Sequence, residues 1–598
     1  MKKRIRKLAA LMLAAGLAFS GMGNVSAKTL TSEDYIPSPN SSNVPVVTEE
    51  NSGGLKKAQS IPETYMNQLS DLMIRYPGTR NQGGYDTCWA FSAIGLAEFD
   101  LITDDEIADK NIDLSELQVA YFTYHNTEDA FGGTAGDALT ILDASKNYLT
   151  IGGNLDYSSR TLLQWQGVTE EDVAPYSRAL FSRSLSSEDA FDKDVAHLQN
   201  VYIINLHKNE DLVKKEIMNH GSAGIGLYMD RVLTYKGSAT YEKTGEQVAT
   251  YYCPQKQTAN HAVNIVGWDD DFPAEAFSNR PAGNGAWLCR NSWSGETGNT
   301  IPSYFWLSYY DASLEDAAWI FDFEPADNYD FNYQYDGGEL VGDGLLQDQK
   351  TKKIIHFSQG ANVFKVQGAG NEMLEAVSLT MTKSANVPYT IKIFTNLSNP
   401  SKPKSGVLAA KVSGKTTYAG TNTIRLPKSV SVPKGSYYSV VVELDKTNTG
   451  LDYEYAVWGQ DLRSKVSCEK NQSFVYYGGK WIDMESLSKK NGIGNLCIKA
   501  FTKKTGTSLS AVKDIKASAV SKNTVKISWG KTSGVSGYEI YRATNKNGTY
   551  KKVATTTARS LKIKNTSKTT CYYRVRAYKN SGSKHVVGKF SGCVTVKK

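Results

Sequence analysis

In the stretch Asn81-Gln-Gly-Gly-Tyr-Asp-Thr-Cys88-Trp-Ala-Phe-Ser92 a cysteine stands where a helix is predicted to begin, with a glutamine six residues upstream. A thiol at a helix N-terminus meets unpaired backbone N–H groups and the positive end of the helix dipole. Both favour the thiolate, the form that attacks a carbonyl. The Gln82 amide could donate to the oxyanion that such an attack creates. A cysteine on a core helix is equally an ordinary structural thiol, so a nucleophile also needs a base and a group to orient that base. Of the seven histidines, His261 differs from the rest by opening the apolar run Asn260-His261-Ala-Val-Asn-Ile-Val-Gly-Trp268, which reads as a buried strand. Thirty residues on, Trp287-Leu-Cys-Arg-Asn291-Ser-Trp293 ends another strand with an asparagine and then a tryptophan. The Asn oxygen can accept from one imidazole nitrogen while the other faces the thiol. The indole can shield that bond from water.

These groups are far apart in the chain, so the elements that carry them must converge. Trp89, Ala90, Phe91, Ala93, Ile94, Leu96, Ala97 and Phe99 make the segment after Cys88 apolar nearly all round, as in a helix buried inside a domain. The next part, including Ala138 to Tyr148, reads mainly as helix, and from about Val201 the pattern is mainly strand, with a cleft between the two. From about Pro325 period-two alternation takes over, as in Val377/Leu379/Met381, Tyr389/Ile391/Ile393 and Tyr438/Val440/Val442/Leu444. Such strands at regular spacing predict an antiparallel sandwich.

Gln82…Cys88-Trp-Ala-Phe-Ser, Asn260-His261-Ala-Val and Asn291-Ser-Trp293 resemble, in order, the signature blocks of the papain-like cysteine peptidases. The resemblance implies a two-lobed α+β domain in which Cys88 is the nucleophile, His261 the base and later the acid, and Asn291 the orienting residue. Gln82 and the Cys88 backbone N–H would form the oxyanion hole. It further implies substrate contacts at Tyr85, Asp86, Gly132, Gly133, Asn260 and Trp293. The two glycines enter because Leu114-Ser115-Glu116-Leu117 followed by Gly132-Gly133 echoes the helix and glycine strip that line the groove. Many relatives carry a cysteine and a glycine where this chain has Tyr85 and Asp86. Asp86 could favour a basic residue on the amino side of the scissile bond, or cap the helix beginning at about Thr87. No metal or cofactor is expected, and Asp269-Asp-Asp271 reads as a solvated turn.

Residues 1–27 have the basic, apolar and small-residue regions of a signal peptide. No later segment approaches the roughly 20 apolar residues that span a bilayer, so a secreted protein is expected, with retention at the cell wall or surface. Residues 28–60 read as a flexible leader and 61–324 as the peptidase domain. Residues 325–505 are similar to the lectin-like sandwich that follows the peptidase in some secreted bacterial relatives, which implies a glycan partner. Residues 508–598 resemble a fibronectin type III module through Val525-Lys-Ile-Ser-Trp529, Gly537-Tyr538-Glu-Ile-Tyr541-Arg and Cys571-Tyr-Tyr573-Arg-Val575-Arg-Ala577. The expected fold is therefore an α+β papain-like domain followed by two all-β sandwiches.

Residues 508–598 hold 20 lysines and arginines against two acids, Asp514 and Glu539, a net of +18, whereas residues 28–507 carry about −16. This asymmetry points to an anionic cell-wall polymer as partner of the tail, or to lysines that keep strands soluble and blunt sheet edges. Nucleic acid is not expected. Seven cysteines in an exported chain leave Cys88 unpaired. The expected bridges are Cys253 with Cys289, Cys468 with Cys497, and Cys571 with Cys593. The function expected is a secreted thiol endopeptidase acting on proteins or peptides. The alternative is a surface adhesin that uses the peptidase fold as a scaffold.

Overall fold

The computed structural model describes residues 35–37, 44–47, 60–66 and 79–596, apart from 104–111, 178–180, 231–234, 295–302, 339–340, 349–350, 446–448, 458, 460, 506–508, 510, 533–534, 547, 565–568 and 582–583. The expected signal sequence and most of the expected leader lie outside the described residues. The leader pieces that are described are docked. Tyr35–Pro37 pairs antiparallel with Leu346–Asp348, and the Asn209 side chain holds the Val47 backbone through two bonds of 2.9 and 2.8 Å. The expected flexible leader is thus fastened at two points.

Three helices build one lobe: α1 (Cys88–Thr103), α2 (Glu116–Tyr124) and α3 (Leu155–Leu163). Every residue of α1 from Trp89 to Ile102 is buried, as a helix apolar on all sides requires. Ser115 caps α2 by accepting from the Gln118 N–H, and Asn154 caps α3 by accepting from the Tyr157 N–H. The other lobe is mainly antiparallel sheet around the His261–Asp269 strand, which lies between Ala223–Leu227 and Ala286–Arg290.

That sheet does not stop at the lobe. It continues through Ala317–Pro325 and Ala196–Asn205 to Ala419–Val432, Glu372–Met381, Ile498–Lys504 and Phe331–Tyr333. The crossing point is the pairing of Ala419–Thr421 with Val201–Ile203, reinforced by Thr423, whose N–H donates to Asn200 Oδ1 at 2.6 Å. A six-stranded sheet containing Pro388–Thr395 and Tyr437–Leu444 completes the second core, where Val377, Leu379, Ile391, Ile393, Val440 and Val442 are buried together.

Ala138–Tyr148 is not a helix. Ala138–Ile141 is a strand paired with Leu462–Lys465, and a partner supplied from the distant chain outweighs local helical preference. The C-terminal region is a sandwich of the sheet Lys516–Ser521, Thr524–Ser528, Ser560–Lys564 against one centred on Gly537–Ala543 and Cys571–Ser581. Trp529, Tyr538, Cys571, Tyr573, Val575 and Ala577 lie in its core.

The three expected disulfides are not formed: all seven cysteines are free. Strand register explains two of them. Cys289 lies opposite Phe305, while Tyr251 lies opposite Leu307 on the far side of the same strand. Cys253 is therefore two strands across and about four positions along from Cys289, well beyond the roughly 7 Å limit for a bridge. Cys571 lies opposite Val596 and Tyr573 opposite Val594, so Cys593 is about three positions away and faces the other side of the sheet. Cys593 contacts the Tyr550 hydroxyl at 3.1 Å. Cys468 donates to Asn495 Oδ1 at 3.2 Å rather than bonding Cys497.

Candidate active site

The site forms where the start of α1 meets the His261 strand, and two contacts fix their relation. Asn264 Nδ2 donates to the Ser92 carbonyl at 3.0 Å, and Ser92 Oγ donates to the Val263 carbonyl at 3.3 Å. A Cβ at Gly95 would meet Asn264 Oδ1 at 2.8 Å, so glycine lets helix and strand approach. Thr87 begins the helix, its carbonyl accepting from the Ala90 N–H at 2.9 Å and its hydroxyl bonded to Tyr176 at 2.7 Å. Cys88 is thereby held half-exposed beside the next strand's Ala262.

His261 Nε2 donates to Asn291 Oδ1 at 2.8 Å. The same oxygen accepts from the Ser292 N–H at 2.8 Å, which fixes the amide orientation and leaves Nδ1 as the imidazole nitrogen free to act on the thiol. Trp293 stacks on the imidazole with ring centroids 4.6 Å apart. Gln82 is clamped as well: its Oε1 accepts from Ser292 Oγ at 2.6 Å, and its Nε2 donates to the Tyr85 carbonyl at 2.6 Å. An amide nitrogen carries two hydrogens, so one remains for an oxyanion.

Burial opposes either catalytic charge forming alone. It pushes the Cys88 thiol up to about 11, an effect that the backbone N–H groups of Ala262, Trp89 and Cys88 itself reduce and Asp86 increases. It lowers the His261 imidazole to about 4, against the pull of Asn291. Transfer of the thiol proton to the imidazole creates both charges at once, opposite in sign, so that each offsets the other's desolvation.

Of the expected substrate positions, Tyr85 lies beside the site with its ring edge-on to Phe181 at 4.9 Å. The Asp86 carbonyl accepts from Trp89 Nε1 at 3.2 Å. Asn260 is tied to the Met229 backbone through both of its side-chain polar atoms. Gly132 and Gly133 are elsewhere: a Cβ at Gly133 would run into the Gln334 carbonyl, and both glycines line a cavity of about 270 Å³ shared with Tyr333, Tyr335 and Tyr437 of the neighbouring lectin-like region. The glycine pair beside the cysteine is Gly152-Gly153. The Asp86 N–H donates to the Leu149 carbonyl at 2.8 Å, and a Cβ at Gly153 would strike the Trp89 ring. The adjacent residue distinguishes the two pairs, since only Gly153 precedes a helix cap, Asn154.

Glu315 had no sequence signal. Gly226 lies opposite Ala262, on the face where the adjacent Gly224 meets Leu96 and Leu155. A Cβ at Gly226 would collide with the Glu315 carboxylate, so this acid packs over the strand beside that of His261. Burial, then Asp316, raises its pKa. Among the described residues no cation is within ion-pair reach of it.

Residues 73–312 match the family model described as papain family cysteine protease, and residues 333–502 match the lectin-like domain model. The chain carries a papain-family cysteine protease domain. This domain is similar to "Probable cysteine protease RD19D" of Arabidopsis thaliana, 24% identical over 224 residues, covering 37% of this chain and 51% of the relative. It is also similar to "Cysteine protease" of Blomia tropicalis, 24% identical over 220 residues and covering 54% of that protein. The chain thus spans about half the length of the curated relatives it matches. Protease and lectin-like domains together share their fold with those of Cwp84, described as a surface layer associated protein of Clostridium difficile. That match has TM-score 0.57 and 24% identity, and covers 75% of this chain and 90% of the other. A second Cwp84 structure, after propeptide cleavage, covers 74% and 99% with the same TM-score. Among the described residues no helix is long and apolar enough to cross a membrane.

Proposed function

We propose that the chain is a secreted thiol endopeptidase. The observation that carries this is the His261 Nε2–Asn291 Oδ1 bond of 2.8 Å on a strand whose next residue, Ala262, turns its N–H toward Cys88. In the reaction His261 takes the Cys88 proton, the thiolate attacks the peptide carbonyl, and the second hydrogen on Gln82 Nε2 and the Cys88 N–H meet the oxyanion. His261 then protonates the leaving amine and activates the water that releases the acyl group. Peptide backbone lies along Gly152-Gly153, and the Glu315 carboxylate takes a cationic side chain of the substrate.

All four groups of the mechanism are retained and oriented, which speaks against the adhesin alternative, since a scaffold has no need of them. The accessory domains supply attachment: glycan through the lectin-like domain, and an anionic wall polymer through the basic C-terminal module of fibronectin type III kind. The test is labelling of purified protein by an epoxysuccinyl thiol inhibitor together with hydrolysis of casein. Both should be lost in Cys88→Ala. Absence of both in the unaltered protein, with or without residues 28–60, sinks the reading.

A further inference from the structure

The C-terminal sandwich has two sheets of unlike charge chemistry. On the Gly537–Ala543 and Cys571–Ser581 side one carboxylate gathers several basic groups. Glu539 takes Lys552 at 3.0 Å, Arg576 at 2.7 Å and His585 at 3.3 Å, and Arg576 and Arg574 lie over the rings of Tyr541 and Tyr550. The three-stranded sheet turns Val525, Ile527 and Ile563 into the core, so the alternate residues point outward. Lys516, Lys526, Lys562 and Lys564 are all exposed. Lys526 stands directly opposite Lys562, with Ser518 on its other side, while Thr524 faces Lys564 and Ser528 faces Lys516. None of the four has a carboxylate partner among the described residues. Of the two acids in the region, Glu539 is engaged on the other sheet and Asp514 lies against Gly530.

Like charges directly opposite on neighbouring strands destabilise a sheet, and among the described residues no carboxylate relieves this pair. A ligand with regularly spaced negative charges would. We infer that this face binds a linear poly(polyol phosphate), a phosphodiester-linked wall polymer. This deepens, and rests on, the reading that the basic module meets a polyanion. The Cα atoms that carry these lysines are spaced about 5 Å across strands and about 7 Å along them, comparable to the repeat of a phosphodiester chain. All are lysines, compact point charges suited to phosphate, with no arginine fork for carboxylates at the outward positions. The interleaved hydroxyls of Ser518, Thr524 and Ser528 can donate to phosphate and accept from polyol. The face is flat, offers no aromatic ring on which bases stack, and has one exposed aliphatic side chain, Val520 at its rim, too little to anchor in a bilayer.

The test uses the full chain and deacylated poly(glycerol phosphate), titrated by calorimetry between 50 and 200 mM salt. Removing two phosphate contacts in Lys526→Ser/Lys562→Ser should weaken binding about tenfold at the lowest salt and flatten the slope of log K against log salt by about 1.4. Lys579→Ser/Lys589→Ser, which removes the same charge elsewhere on the module, should stay within about twofold. Relief of the opposed lysines should raise the module's melting midpoint at low salt by about 2 °C, and the polymer should raise the midpoint of the unaltered chain but not that of the first variant. Equal weakening by the two variants would reduce the effect to net charge and overturn the site. Binding that survives Lys526→Ser/Lys562→Ser overturns it too while sparing the polyanion reading, and no binding by the unaltered chain overturns both. Tighter binding to phosphatidylglycerol vesicles or oligo(dT) would show the occupant to be wrong. Peptide hydrolysis, measured alongside, reports the protease reading separately.

Discussion

His261 and His220 are both withdrawn from water, yet they sit on opposite sides of neutrality. His261 meets the amide of Asn291 and the face of Trp293, and burial lowers it to about 4. His220, at the end of the helix Glu210–His220, is also lowered by burial, but its bond of 2.7 Å to Asp100 and the charges of Asp100, Asp322 and Glu216 outweigh that and bring it up to about 9. The choice of a neutral or charged partner decides whether a buried imidazole is a base or a cation. Asn291 orients without charging, which keeps His261 able to accept a proton. Asp100 makes His220 one half of an ion pair that joins α1 to the helix Glu210–His220.

The sharpest break of this comparison is His261→Ala, expected to lower kcat/KM about 10³-fold while the melting midpoint at pH 7.5 stays within a degree or two. The mirror experiment is Asp100→Asn, expected to cost about 3 kcal/mol in urea unfolding with kcat unchanged within about twofold; a large rate loss there would erase the distinction. Stability against pH separates the two in one scan. His261 is depressed, so its contribution is full above about 6.5 and is lost as pH falls through about 4, amounting to about 3 kcal/mol. His220 is raised, so its contribution is full below about 6.5 and is lost as pH rises through about 9. His261→Gln should flatten the acid limb and His220→Gln the alkaline limb. Asn291→Asp gives His261 the kind of partner His220 has. It should move the acid limb of kcat/KM upward by about 1–2 pH units and slow the reaction near neutrality about tenfold. The smallest effect concerns an acid without its cation: Glu315→Gln should lower kcat/KM about fivefold for peptides with an arginine on the amino side of the scissile bond, and leave uncharged peptides unchanged.

The groups that meet at the candidate site are legible in the sequence because each is announced by its immediate neighbours: Cys88 by the apolar helix behind it, and His261 and Asn291 by the ends of apolar strands. What depends on packing between distant segments was not. Between Cys88 and His261 two glycine pairs occur, and order along the chain does not choose between them: the structure brings Gly152-Gly153 to Trp89, while Gln334, from another domain, covers Gly133. The cysteine pairs looked natural by order along the chain, yet register places Cys571 and Cys593 on opposite sides of a sheet. Ala138–Ile141 became a strand because Leu462–Lys465 was there to receive it. Glu315 belongs to no motif, and its place is set by Gly226, where a Cβ would exclude its carboxylate.

The pairing of Ala419–Thr421 with Val201–Ile203 makes the lectin-like domain an extension of the catalytic lobe's own sheet. A domain hung on a linker lets its enzyme swing and sample whatever lies within the tether. Here a ligand held by the lectin-like domain would set the attitude of the cleft, so that where the chain is held would dictate which bonds the cleft can reach.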